Sequence, residues 1–278
     1  MRDILTFAEL TFREARRSKI LWTALGLGLA FIALYTVGFY YIHQETVRYS
    51  NGRDVTLDAG FNFVVMAGLY VISFLGVMLA VLTSVGTISG EITSHTIQAL
   101  ATKPLRRAAI LLGKWLGLAL MLTSYIILLS GGIILATWAI SGYLLPNALP
   151  GMVLIAFQAL IMLSLSILGG TRLSTVANGV LAFMLYGLAF VGGWIEQFGS
   201  LMHNETAVDI GIVSSLLVPS EAMWKMAANI MQPPAVGVLG ISPFSMTVAP
   251  SMAMLVYAFV YTVALIGLAG YSFSRRDL

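Results

Sequence analysis

Cysteine is absent from the 278 residues, so the chain offers no disulfide framework, thiol nucleophile or thiolate metal site. Charge is scarce as well. Asp, Glu, Lys and Arg together fill 10% of positions, against about a quarter in an ordinary soluble domain. A soluble chain of this length could bury a large core, but it would need a charged surface, and there are too few charges to cover one. A phosphate-binding loop is also missing. Gly113-Lys114 is followed by Trp115, and Ala108 stands where the first glycine of GxxxxGK[ST] would be, which closes that route to ATP. His43, His95 and His203 fall in three separate loops with no ligand spacing and no carboxylate cluster beside them, so no metal site is expected.

What the chain has is apolar length. Hydrophobic residues make up 59% of it and come in blocks of about 20 or more, enough to cross roughly 30 Å of hydrocarbon as a helix. Only helices and closed barrels satisfy their backbone groups in lipid, and these blocks are continuous rather than alternating, which selects helices. The reading is an all-α integral membrane protein with six spans, near 20–42, 61–88, 108–140, 151–170, 175–198 and 248–273. Together they form a single transmembrane domain over residues 20–278. The first block starts only at Ile20 and is too long for the apolar core of a cleaved signal, so it is expected to stay as a signal anchor. Before it, Ile4, Leu5, Ala8, Phe12 and Ala15 recur on one helical face, with Phe7 and Leu10 beside it. Residues 1–19 therefore read as an amphipathic helix in the membrane interface.

Basic residues orient the chain. Five precede span one; Lys103, Arg106, Arg107 and Lys114 surround the second loop; Arg172 follows span four; Arg275 and Arg276 follow span six. Twelve of the fifteen thus lie on one side, with Arg48, Arg53 and Lys225 on the other, which puts both termini in the cytoplasm and requires an even number of spans. The region 199–247 is then extracytoplasmic. Its apolar stretch Ile210–Val218 is too short to cross, and Pro219-Ser220-Glu221 reads as a helix start with Ser220 as N-cap. A re-entrant or surface-lying helix is expected there. Asn204-Glu205-Thr206 matches a glycosylation sequon, a pattern short enough to arise by chance.

Within the spans ionisable residues are nearly absent, with Lys114 near an inner end, where it can snorkel, and Glu196 near an outer end. Ion-coupled carriers and charged pores need such groups, so both classes are disfavoured. Gly86-xxx-Gly90 and Gly113-xxx-Gly117 have the spacing of close helix contacts, and generic packing is the favoured reading. The most informative polar stretch is SGEITSHTIQALATKPLRRAAILLGK. Gly90-Glu91 breaks the span and puts an acid at the start of a short helix; Ile92, Ile97 and Leu100 give it an apolar face; Lys103-Pro104 ends it. Spacing alone leaves two readings: a cytoplasmic lever between two spans, or an ordinary basic loop that fixes topology.

At this segment the chain resembles the membrane subunits of type-2 ABC exporters. Gly90, Glu91, Thr96-Ile97, Ala99-Leu100, Pro104, Arg106-Arg107 and Gly113-Lys114 follow the order and spacing of that pattern, while His95 replaces the usual small residue and Ile92 a frequent charged one. The layout of the whole chain is similar too. Pro219 and the helix after it resemble the permease subgroup that includes transporters serving copper-site assembly of nitrous oxide reductase. The resemblance implies a permease, homodimeric or paired with a related chain, in a bacterial or archaeal cytoplasmic membrane. It implies two separate ABC ATPase subunits as partners, which carry the ATP and Mg while this chain binds no cofactor and no nucleic acid. The segment 89–107, with Gly90, Glu91, His95, Thr96, Ile97, Leu100, Pro104, Arg106 and Arg107, would couple the ATPase to spans two and five. Phe61, Phe63, Met66 and Tyr70 on span two and Tyr186, Phe190 and Trp194 on span five suit a pathway or dimer lining for an amphipathic substrate. They suit plain packing equally well, and packing is favoured. The rival from another class is a non-transporting membrane anchor or scaffold of a multiprotein complex.

Overall fold

The computed structural model describes residues 2–49, 55–87, 107–233 and 250–275, and every regular element among them is helical. In chain order these are α1 (Arg2–Arg17), α2 (Lys19–Tyr49), α3 (Val55–Ser84), α4 (Arg107–Ser141), α5 (Ala148–Gly170), α6 (Thr175–Leu201), α7 (Glu205–Leu217), α8 (Ser220–Ile230) and α9 (Met252–Ser274). Six of them, α2 to α6 and α9, are long and apolar enough to cross a membrane. The outer helices show the lipid signature: Leu34 on α2, Val176 on α6 and Phe259 on α9 are all more than half exposed, as apolar side chains in hydrocarbon can be. The centre is α5, the most enclosed helix, which packs against α3, α4, α6, α8 and α9.

With lipid as apolar as leucine, these helices hold together by close packing and by hydrogen bonds between them. Tyr35 of α2 bonds Thr137 of α4 at 2.8 Å, Tyr125 of α4 donates to the Ala24 carbonyl at 3.1 Å, and Trp115 of α4 donates to Ser164 of α5 at 2.9 Å. Arg172, just past α5, donates through Nε to Ser272 Oγ near the end of α9 at 2.8 Å. The termini of α3, α5 and α9 therefore meet the starts of α4 and α6 at one end of the bundle, where α1 also lies. Call this the basic end. The opposite, far end holds the start of α3, the α4–α5 turn and the α7–α8 hairpin.

Helix α1 is amphipathic, but its face does not lie on lipid alone. Phe7, Ala8, Thr11, Phe12 and Ala15 pack on α4, whose Gly113 and Gly117 admit the α1 backbone: a Cβ on Gly117 would sit 2.6 Å from the Ala8 carbonyl oxygen. Leu5 and Leu10 stay more than half exposed, so they do not belong to that packed face. The Gly113-xxx-Gly117 pair is a seat for α1 specifically, rather than generic packing between spans.

The far-end hairpin packs into the bundle, α8 against α5 and α6 and α7 against α6. Asn204 caps α7 by accepting from the Ala207 N–H, so the asparagine of the sequon pattern serves as a helix cap. Between α7 and α8 the chain turns by 110°. Pro219, which cannot continue α7, occupies the cap position of α8; Ser220 is the first helical residue rather than the cap, and its hydroxyl has no partner among the described residues. Tyr261 of α9 donates to the Leu217 carbonyl at 2.9 Å, and Tyr257 donates to that of Leu216, satisfying the carbonyls that the end of α7 leaves open. The other end of α8 is tied as well: Asn62 of α3 donates to the Met231 carbonyl at 3.0 Å and Asn147 to that of Ile230 at 2.8 Å. Asn147 does so from a left-handed φ of 46°, which asparagine tolerates better than most residues.

Candidate functional site

Residues 88–106 lie outside the described residues, and so does the side chain of Arg107. Gly90, Glu91, His95, Thr96, Ile97, Leu100, Pro104, Arg106 and Arg107 therefore carry no structural statement beyond Arg107 opening α4. What the described residues show is the frame from which that segment departs. Thr87 follows the last turn of α3, and its carbonyl accepts from Lys114 Nζ at 3.3 Å. An ammonium at a helix C-terminus is favoured by the dipole and satisfies an open carbonyl. Lys114 does this while almost fully buried, so it does not snorkel to solvent. From the other side Asn178, in the first turn of α6, donates to the Ser166 carbonyl of α5 at 2.8 Å and to that of Val85 at 3.4 Å. The exit of α3 is thus bound to both α4 and α6.

At the far end the structure brings together groups that span-by-span reading keeps apart. Glu196, one turn and a half from the end of α6, receives a hydrogen bond from Lys225 of α8, with Nζ 2.6 Å from Oε2. Glu221 precedes Lys225 by four residues and shares its face of α8. Glu221 and Lys225 are each only 4% exposed. Gly193 makes room for them: a Cβ there would stand 2.5 Å from Glu221 Cγ and 3.5 Å from Lys225 Cε. Gly192 does the same for Ser214 of α7. Burial pushes the Glu221 carboxyl above the usual carboxylate range; Lys225 opposes this and Glu196 adds to it. Oxygen Oε2 of Glu221 has no partner among the described residues.

The structure adds two enclosed ionisable groups, Glu221 and Lys225, on α8 outside the six spans, while the side chain of Glu196 at the far end of α6 stays 19% exposed. Lys225, assigned to a loop by charge counting, is buried against span five. The missed signal was the spacing Glu221-xxx-Lys225 in a helix otherwise rich in Ala and Met, since two charges one turn apart on an apolar helix face the same neighbour.

The seven lining candidates divide. Tyr70, Tyr186, Phe190 and Trp194 form one aromatic cluster with Trp224 of α8. Tyr70 stacks on Phe190 with ring centroids 6.2 Å apart, lies 4.9 Å from Trp224, and accepts from Trp194 Nε1 at 3.2 Å. Phe190 and Trp194 also line a cavity of about 390 Å³ that continues over Phe198 to Ala207. Phe61 and Met66 belong instead to the main core, Phe61 between Phe39 and Tyr143. Phe63 is 40% exposed and joins neither group. Phe61 lies on the opposite side of α3 from Tyr70, whereas Phe63 and Met66 share the side of Tyr70 but sit one to two turns nearer the start of the helix.

Six helices long and apolar enough to cross a membrane, with charge enclosed beneath a bent helical pair at one end, define a multi-pass α-helical membrane protein. Residues 5–278 match the model of the ABC-2 family transporter proteins, and the chain belongs to that family. It is accordingly a transmembrane permease of an ABC transporter, from a family whose members are membrane components and generally not themselves catalytic. Such a permease associates with an ABC ATPase and with lipid. No curated protein matches the chain.

Proposed function

We propose that this chain is the permease of an ATP-driven exporter, working as a dimer with two separate ATPase subunits seated against residues 89–107. The family match over nearly the whole chain carries this reading. In it the basic end faces the cytoplasm, in a bacterial or archaeal inner membrane, and the ATPases hold the ATP and Mg. The bonds of Lys114 to Thr87 and of Asn178 to Val85 support the coupling role, since a push on the segment after Thr87 would reach α3, α4 and α6 together. For ATP to drive the cycle it must bind the closed ATPase pair more tightly than the open one, because equal affinity shifts nothing. The bend at Pro219 supports the finer placement beside permeases serving copper-site assembly of nitrous oxide reductase.

Purification from the native host in mild detergent tests the first part. A P-loop ATPase is expected to accompany the chain, and its absence overturns the exporter reading in favour of a membrane anchor. Glu91→Arg tests the second. It is expected to uncouple ATP hydrolysis from transport at normal expression, and normal coupling in that variant would remove Glu91 from the lever.

A further inference from the structure

A second cavity, of about 260 Å³, opens at the far end where α6, α7, α8 and the start of α9 meet. That is the size of a ligand's headgroup rather than of a whole drug-sized molecule. Its wall includes Glu196, Lys225 and Ser215 on the polar side and Ile212, Leu216 and Met254 on the apolar side. Ser215 is 94% buried and its hydroxyl has no partner among the described residues. From these residues we infer that the cavity binds the head of a singly charged cationic amphiphile, a long-chain alkylammonium, through Glu196 and Ser215.

The argument is charge balance. Two carboxylates, the partly exposed Glu196 and the buried Glu221, share one buried ammonium, Lys225. Residues 234–249, which connect α8 to α9, carry no charged side chain that could make up the difference. A buried charge must be paired or neutralised, so the empty cluster keeps a proton on one carboxyl. Glu221 is the one, because its Oε2 lacks a partner while Glu196 holds Lys225. An arriving alkylammonium takes the place of Lys225 on Glu196 and donates to Ser215 Oγ. Lys225 then turns to Glu221, one helical turn back, and Glu221 releases its proton to water at the far end. The cluster is neutral before and after. Other titratable groups facing Glu221 are the phenols of Tyr70 on α3 and Tyr186 on α6; on α9, Tyr257 and Tyr261 are occupied with the carbonyls of α7. Beside this neutral cluster an anion would set a second negative charge against Glu196, a neutral amphiphile would offer that carboxylate no cation in place of Lys225, and a zwitterion would bring its own anion with it. The apolar half of the wall selects a chain behind the charged head.

The inference stands apart from the coupling reading, since it concerns equilibrium binding and needs no ATP. The full chain, with whatever subunits accompany it, is placed in phosphatidylcholine nanodiscs and titrated with radiolabelled dodecylammonium, subtracting protein-free discs. Saturable binding to one site is expected, with release of about one proton per ligand. Dodecyl sulfate and dodecanol should not compete. Glu196→Gln is expected to weaken binding by about thirtyfold or more, and Glu221→Gln to abolish the proton release. Competition by dodecyl sulfate, dodecanol or added zwitterionic lipid as strong as that by dodecylammonium would overturn the inference, and so would unchanged affinity in Glu196→Gln. Should that variant not fold, Ser215→Ala takes its place: a severalfold loss of affinity supports the site, and wild-type affinity refutes it.

Discussion

The two ends of this bundle handle polar groups in different ways. At the basic end polar side chains tie helix ends together, Lys114 to Thr87, Asn178 to Val85 and Ser166, and Arg172 to Ser272, while Asn178 Oδ1 and Ser166 Oγ have no partner among the described residues. At the far end the hairpin is held by comparable bonds at its margins, but its centre encloses two carboxylates, one ammonium and at least three oxygens, of Ser215, Ser220 and Glu221, without a partner among the described residues. Buried polar groups are nearly always satisfied in stable structures, so an unsatisfied group of this kind calls for a reason. The contrast is therefore one of charge: the partnerless oxygens at the basic end are neutral, whereas those at the far end stand beside two carboxylates that share one ammonium among the described residues.

The largest expected effect breaks the far end. Lys225→Met removes the cation that, among the described residues, stands between Glu196 and Glu221, while keeping the volume of the chain beside Gly193. Leaving a buried charge unpaired costs about 3–5 kcal/mol. The variant should lose stability on that scale in thermal unfolding, and the double variant Lys225→Met/Glu196→Gln should regain part of it, since one acid fewer is then stranded. A loss no larger than that of a surface lysine would show that the pair is not held apart from water.

An intermediate effect breaks the basic end. At Gly117 any side chain collides with the backbone of α1, 2.6 Å from the Ala8 carbonyl, and a backbone atom cannot swing aside. Gly117→Leu should therefore lift α1 from α4 at a cost of about 1–3 kcal/mol. Distances between spin labels on Glu9 and on the far side of α4 report the separation directly. An unmoved α1 would mean that the helix is held elsewhere, by its short junction to α2 at Ser18.

How much of this was legible in the sequence differs between the two ends for physical reasons. Span number and the existence of the hairpin follow from one-dimensional rules: lipid thickness sets the length of a crossing, and Pro219 must interrupt a helix. Both therefore appear in the chain as written. The apolar face of α1 was visible as a period, but what it meets was not, because a period carries no address; Gly113 and Gly117 name α4 only once the two helices are side by side. The same holds for Glu196 and Lys225, which lie 29 positions apart with a 110° bend between them, so no local pattern links them. Of the lining candidates, Tyr70, Tyr186, Phe190 and Trp194 converge on Trp224 while Phe61 and Met66 belong to the main core, since depth along the bundle and the neighbouring helices, not composition, decide which residues meet.

The smallest effect sharpens the comparison at the basic end. Lys114 and Lys225 are both almost fully buried lysines, and the described hydrogen bonds they make differ in kind. Lys225 faces a carboxylate, whereas Lys114 donates to a backbone carbonyl at the end of α3, where Thr87 is only partly buried. Lys114→Met strands no opposite charge at Thr87. Its carbonyl, being near the helix end and within reach of water, can replace the lost donor. The part of the loss that comes from this bond should be about 1 kcal/mol, the worth of one charge-assisted bond at a helix C-terminus. Local opening should be confined to that terminus: hydrogen exchange at the amides of Val85 to Thr87 should quicken, while those of Trp224 and Lys225 stay as protected as before. If Lys114→Met instead destabilised the chain as severely as Lys225→Met, the basic end would also be storing unbalanced charge, and the contrast between the two ends would fail.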